Sequence, residues 1–259
     1  MLEDTRPIIC DFPDNEFVDI YFIHDLHYGN ELYNPKRFAE LCKLIDEDKD
    51  SYICWIGDLM ENAVPNSKSD VFSQKYPPQT QKEYITEVLT KYKDRTLAVV
   101  SGNHESNRTT KLTGLFPLYD CCLLAGIGDK YRENFAFVDI GIGNTRGSTN
   151  KRTRYVGQIQ HKAKDIKSAN SADYTDGIDF FAFGHDHEAI NHPRAKLVYD
   201  MHNKVVRKKN VEVINCGSFL NYGGYGARAG YRPQSDKMFC LRLYGNIRDK
   251  RMTTLGFYV

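Results

Sequence analysis

Four short clusters of carboxylate, imidazole and amide side chains follow one another along the chain: Asp25-Leu26-His27, Gly57-Asp58, Gly102-Asn103-His104-Glu105 and Gly184-His185-Asp186-His187. Each stands at the end of an apolar, strand-like run, and each is rich in side chains that bind hard or borderline divalent metals. Singly they are weak signals. An Asp and a His two residues apart are ordinary loop residues, and Gly-Asp is common turn chemistry. Gly184-His185-x-His187 says more, because two imidazoles directly after a buried strand can face one ion. The succession of all four is far more specific than any one of them. Loops at the carboxyl ends of adjacent strands converge, so these residues are expected around one pair of metal ions. The chemistry this predicts is hydrolysis at a dinuclear centre: one carboxylate ligates both cations, and water between them becomes a nucleophile near neutral pH.

The elements that must deliver these clusters are legible as hydrophobic runs. Phe17–Ile23 is apolar, β-branched and aromatic, and reads as a strand that stops at His24. Asn34-Pro35 offers a helix cap, followed by Phe38, Leu41, Leu44 and Ile45 at helical spacing. Ser51–Ile56 and Thr96–Val100 are further buried strands, with a helix expected at residues 80–91 between them, so the first half reads as βαβ units. A helix around residues 108–119 is interrupted by Gly114 and Pro117. Phe135–Ile142 and Thr153–Gln160 predict an antiparallel pair around a polar turn, then a polar helix or loop to Gly177 and a buried strand at 178–183. The tail from 196 to 259 reads as short strands, with turns at His202-Asn203 and Gly223-Gly224. No repeat, low-complexity tract or linker divides the chain, which is expected to be one domain over 1–259.

Composition excludes several classes. Lys and Arg number 35 against 34 for Asp and Glu, a formal charge of +1, so no global basic field advertises nucleic acid. Nothing approaches a membrane span, and the start lacks the features of a signal peptide, so a cytoplasmic protein is expected. The seven cysteines form no C-x-x-C pair and read as reduced core thiols.

Asp25 with His27, Asp58, Asn103-His104-Glu105, and His185 with His187 make the chain resemble the calcineurin-like metallophosphoesterases over residues 17–224. The resemblance implies an α/β fold, a four-layer α-β-β-α sandwich of two mixed sheets with flanking helices. It implies Asp25, His27, Asp58 and His187 as ligands of one metal, and Asp58, Asn103, His161 and His185 as ligands of the other. Asp58 then bridges the ions, and a hydroxide between them is the nucleophile. His161 follows the run Thr153–Gln160; Asn144 is the alternative occupant of its position. His104 is implied as general acid for the leaving alkoxide or as stabiliser of developing charge, with Glu61 as the carboxylate that orients it. Glu105 either supports the ligands from behind or is solvated, and His24 either lines the site or is structural. Two Mn(II) ions suit the mixed donor set best, with Fe, Zn or Ni also acceptable.

The substrate is less legible. Protein Ser/Thr phosphatases of the family continue Gly-Asp with x-Val-Asp-Arg-Gly and carry Arg before Gly-Asn-His-Glu; this chain has Leu59-Met60-Glu61-Asn62 and Ser101, which disfavours that branch. Segments 57–63 and 217–225 resemble those of compact members encoded by phages and prophages, a group whose implied setting is DNA metabolism. That favours a phosphodiesterase or nuclease over a phosphomonoesterase. Arg108, with Lys111 near it, is the expected substrate contact. Arg146, Lys151, Arg152 and Arg154 form either a nucleic-acid arm or a hairpin tip, and Tyr222, Tyr225 and Tyr231 either stack a base or pack at the rim. The expected partner is a phosphoester, with DNA or RNA as candidates. Phosphomonoester or cyclic-nucleotide hydrolysis and a non-catalytic metal-bearing binding module are the alternatives.

Overall fold

The run Phe17–Ile23 forms strand β2, preceded by a strand that the hydrophobic pattern did not announce, β1 (Ile8–Phe12). Asn34 caps α1 (Pro35–Glu47) by accepting from Arg37 N, and Pro35 opens the helix, so that Phe38, Leu41 and Ile45 share its buried face. After β3 (Ser51–Ile56), α2 (Pro78–Lys91) starts two residues before the expected helix and leads to β4 (Thr96–Val100). The expected helix at 108–119 is three pieces: a π-helical stretch His104–Thr110, α3 (Lys111–Thr113) and α4 (Pro117–Leu124). Gly114 ends α3 in the left-handed region at φ 71°, and Pro117 begins the next helix. There follow β5 (Tyr131–Arg132), β6 (Phe135–Ile142), β7 (Thr153–Gln160), β8 (Phe180–Phe183), β9 (Ile190–Asn191), β10 (Arg194–Asp200) and β11 (Val205–Asn215). The chain closes with α5 (Gly224–Arg228), β12 (Lys237–Tyr244) and β13 (Met252–Tyr258). The computed structural model describes residues 5–65, 67, 71–143, 152–162, 175–245 and 250–259.

Two mixed sheets result. One has the order β13-β12-β2-β3-β4-β5, with β2, β3, β4 and β5 mutually parallel. The other has the order β1-β6-β7-β8-β11-β10, with β9 pairing β11. They pack face to face through one core in which Phe22 of β2 meets Phe180 of β8 at 5.9 Å between ring centroids. β4 is buried along its whole length, as befits a parallel strand covered on both sides. α1 packs on β3, α2 packs on α4, and all three helices contribute to the same core. On the other side of the seven-stranded sheet, Ile178, Phe181, Phe183, Val211 and Val213 form a second buried cluster. The helix or loop expected after His161 and the polar turn at 144–151 lie outside the described residues. All seven cysteines are free thiols, and no described helix is long and apolar enough to cross a membrane.

Arg152 and Arg154, half of the expected basic arm, are committed elsewhere. Arg152 pairs with Asp11, while Arg154 bonds Asp139 at 2.9 Å and lies 3.3 Å from Asp11. Arg154 stitches β7 to β6 and β1, and Arg152 ties the residue before β7 to β1.

Gly157 on β7 lies opposite Phe180, whose ring covers the glycine so closely that any Cβ there would overlap it. Gly157→Ala should therefore overpack the core between the sheets and cost about 1–3 kcal/mol. The expected readout is a lower urea midpoint with an unchanged m-value.

Candidate metal centre

The four clusters occupy the loops that leave β2, β3, β4 and β8, and His161 follows β7. The first two loops continue the pairing of their strands: Asp25 N–H donates to Gly57 O at 3.1 Å, His27 N–H to Asp58 O at 2.9 Å and Tyr28 N–H to Leu59 O at 2.9 Å. The β4 loop comes so close that a Cβ on Gly57 would strike the Gly102 main chain, and one on Gly102 would strike Asp58. Both glycines are therefore dictated by backbone contact. Glu105 locks this junction. Its buried carboxylate accepts four main-chain N–H groups: Gly102 and Asp58 at 3.0 Å on Oε2, and Leu59 at 2.7 Å and Met60 at 3.0 Å on Oε1. Burial and the charge of Asp58 act to raise its carboxyl pKa, while those four donors favour the anion.

Asp25 is held with one oxygen spare. Cys216 N–H donates to His24 Nε2 at 3.1 Å, which leaves His24 Nδ1–H to donate to Asp25 Oδ2 at 2.7 Å. His185 N–H also donates to Oδ2, at 2.7 Å. Asp25 Oδ1 is buried without a hydrogen-bond partner, 3.2 Å from His187 Nε2 and 3.5 Å from His27 Nε2; those two nitrogens are 3.2 Å apart. His161 repeats the pattern. Its Nδ1–H donates to Ile56 O at 2.7 Å, turning the Nε2 lone pair toward Asp58 Oδ2 at 3.1 Å and Asn103 Oδ1 at 3.2 Å. Imidazole and carboxylate acceptors this close need either a proton on the imidazole or a cation among them. Asp25, His27 and His187 form one such group, Asp58, His161 and His185 a second, and His27, Asp58 and His104 a third that links them. The donor set thus fits two divalent ions, with Asp58 between them.

Electrostatics point the same way. Burial works against charge on His27 and His161, yet Asp25 and Glu61 push His27 up to about 10, and Asp58 pushes His161 up to about 9. Burial likewise opposes ionisation of Asp25, but His187, His24 and His27 hold it well below the carboxylate range; His104 and His161 do the same for Asp58. A field that draws protons onto two imidazoles is one that a metal cation satisfies.

His104 sits 3.7 Å from Asp58 Oδ2 through Nε2, and burial pulls it down to about 4. Its Nδ1 lies 2.8 Å from the main-chain carbonyl of Glu61 and 3.7 Å from the Glu61 carboxylate, so the carbonyl is what orients this ring. The Glu61 carboxylate instead lies 3.3 Å from His27 Nδ1 and accepts from Asn30 Nδ2 at 3.0 Å and from Arg108 Nη1 at 3.1 Å. Arg108 also donates to Glu61 O. Tyr222 and Tyr231 are exposed, with Tyr222 Oη–H donating to Tyr231 O, whereas the Tyr225 side chain and Asn144 lie outside what is described.

Sequence reasoning brought Asp25, His27, Asp58, Asn103, His161, His185 and His187 to one place. It missed the bonds that hold them: His24 on Asp25 and the four amides on Glu105. It also missed the backbone. Asp25, His27, Asp58, His185 and His187 all have φ between 48° and 80°, and among the described residues only Asn62 and Lys204 are other non-glycine examples. Asp, Asn and His tolerate the left-handed region better than most side chains, a signal present in the composition of the loops but too general to locate the turns.

No family model matches the chain, and no curated protein does. Among solved structures it is similar to Vacuolar Protein Sorting 29 from Cryptosporidium parvum, at 16% identity over 95% of this chain and 100% of that one, with a TM-score of 0.46. It is also similar to YfcE, a phosphoesterase from E. coli (12% identity, 92% of this chain and 98% of that one, TM-score 0.44). A putative 5'-nucleotidase from Staphylococcus aureus is similar at 12% identity over 91% of this chain and 54% of its own length, with a TM-score of 0.40.

Two substitutions separate these roles. Glu105→Gln places an amide N–H₂ against main-chain N–H donors and should cost about 2–4 kcal/mol, seen as a lower melting temperature of the metal-free protein. Glu61→Gln leaves the carbonyl that orients His104 in place but weakens the hold on His27. Divalent-metal affinity should fall about 10–100-fold by calorimetry.

Proposed function

We propose that the chain is a dinuclear metal-dependent phosphoesterase that acts on phosphodiesters, nucleic acids among them. The observation that carries this reading is the convergence of Asp25 Oδ1, His27 and His187 on one side of Asp58 and of His161 and His185 on the other. Asp25, His27 and His187 would hold one ion, and His161, His185 and Asn103 the other, with Asp58 shared; Mn(II) suits this donor set. Two such cations would supply acidified water and charge to neutralise phosphate oxygens.

The chain's own groups do the rest. His104 keeps Nδ1–H on the Glu61 carbonyl, so Nε2 is the atom through which it hydrogen-bonds the phosphate or exchanges a proton with the leaving oxygen. Burial lowers its pKa, and an anionic phosphate beside Nε2 acts in the opposite direction. Arg108 is already bonded to the carboxylate and carbonyl of Glu61, which makes it a brace for that segment as well as a phosphate contact. A diester, with one negative charge, asks less of further cations than a monoester dianion, which supports the diester preference.

EDTA-stripped protein reloaded with Mn(II) should hydrolyse bis-p-nitrophenyl phosphate faster than p-nitrophenyl phosphate. Asp58→Asn should abolish that turnover, and His104→Ala should lower kcat by about 10²–10⁴ with metal still bound. Turnover of the monoester alone would instead identify a phosphomonoesterase. A metal-loaded protein that cleaves neither substrate would be a binding module.

A further inference from the structure

The first buried position on α2 is polar. Gln81, Ile85 and Leu89 are the buried residues of that helix, spaced four apart, so a glutamine stands where the apolar stripe begins. A buried amide costs stability unless its oxygen and its two N–H groups find partners. All three do. Gln81 Oε1 accepts from Asn62 N at 2.9 Å, and Gln81 Nε2 donates to Tyr76 O at 2.7 Å and to Gln74 Oε1 at 2.9 Å. These partners fix which end of the amide is which, since a flipped group would set Nε2 against an N–H and Oε1 against two oxygens. Gln74 extends the grip to the next residue, accepting from Ala63 N at 3.3 Å and donating to Ala63 O at 3.1 Å. Gly29, at φ 102°, lies so close to the Gln81 amide that a Cβ there would overlap it.

The N–H that Gln81 holds belongs to the same peptide as the carbonyl that orients His104. Glu61 O accepts from His104 Nδ1 at 2.8 Å and from Arg108 Nη1 at 3.1 Å, while across the same planar bond Asn62 N–H donates to Gln81. In a trans peptide these two groups point in opposite directions, so fixing one fixes the other. The restraint has something to resist. Asn62 stands in the left-handed region at φ 45°, and turning the 61–62 peptide over would return it to negative φ while carrying the carbonyl away from His104. Glu61 N–H is anchored separately, on Tyr28 O at 3.0 Å, so such a turn leaves the start of the segment in place.

We propose that Gln81 is a positioning residue for His104, acting through the 61–62 peptide. The inference rests on the phosphoesterase reading of the centre and concerns how His104 is presented to the phosphate. The hydrogen bonds of Gln81 run to Asn62, Gln74 and Tyr76, none of them a candidate metal ligand, so it aims the ring without touching the centre. With Nδ1–H committed to Glu61 O, Nε2 is left on the side of Asp58, where the phosphate would lie. A side chain that only filled the space would not need an oxygen. The acceptor for Asn62 N–H is what this role requires.

The test compares Gln81→Met, close in volume but without the acceptor, with Gln81→Glu, whose buried carboxyl takes up a proton and can donate to Tyr76 O while still accepting from Asn62. The first readout is the imidazole tautomer of His104 by NMR in the isotope-labelled, metal-free full chain at neutral pH, its signals identified by their absence in His104→Ala. The parent should show the Nδ1–H form alone, Gln81→Met both forms, and Gln81→Glu the Nδ1–H form again. The second readout is bis-p-nitrophenyl phosphate turnover with Mn(II). Gln81→Met should lower kcat by about 10–100-fold with KM and Mn(II) affinity little changed, and Gln81→Glu should recover most of that loss. A lone Nδ1–H form in Gln81→Met would overturn the proposal, whatever its melting temperature, and leave Gln81 a packing residue. Mixed forms in folded Gln81→Glu would overturn it too, a result that does not depend on whether Gln81→Met folds. If the parent cleaves no phosphoester, the tautomer comparison still decides the role of Gln81, which separates this failure from that of the phosphoesterase reading.

Discussion

Four main-chain amides converge on one buried carboxylate, and the candidate centre depends on it. By accepting Gly102, Asp58, Leu59 and Met60, Glu105 holds the turn after β3 against the turn after β4. The contact explains the residues around it. Gly57 and Gly102 are glycines because the two main chains meet there, and Asp58 is aimed inward because its own N–H is one of the four donors. Such a network is stable only when complete, since any buried N–H left without an acceptor carries its full desolvation penalty.

Around this junction the two sheets share the work. Asp25, Asp58 and Asn103 come from loops of the six-stranded sheet, while His161, His185 and His187 come from the seven-stranded one. The bond from His161 to Ile56 O crosses between them, as does the one from His185 N–H to Asp25 Oδ2. The candidate ligands therefore exist as a set only when the sheets are packed. A cation bound there would cross-link both layers, and its binding energy would count as folding energy.

Charge is distributed along the molecule in a way the near-neutral total conceals. Carboxylates concentrate at the loop end of the sheets, where Asp25, Asp58, Glu61 and Glu105 are all buried within one centre. Cations gather toward the opposite end of β11, at Arg207, Lys208 and Lys209. A net charge near zero thus describes neither surface, and local fields govern what each end attracts.

Strands β2, β3 and β4 and helices α1 and α2 were legible because hydrophobic period, capping chemistry and proline placement are local properties: Phe17–Ile23, Asn34-Pro35 and Thr96–Val100 needed nothing beyond their own neighbourhoods. The candidate ligands were legible for a related reason, since metal chemistry restricts the residue types and strand ends restrict their positions. What only the tertiary structure decided is how those residues are held. That His24 takes its tautomer from the Cys216 amide, that a carbonyl rather than a carboxylate orients His104, and that Glu105 serves two turns are facts about atoms far apart in sequence. β10 and β11 were readable as strands, but their exposure was not, because a strand's pattern records its own residues and not what packs against them. Local sequence sets which conformations are favourable; the bonds made between distant segments are set by packing, and those decide which side chains meet.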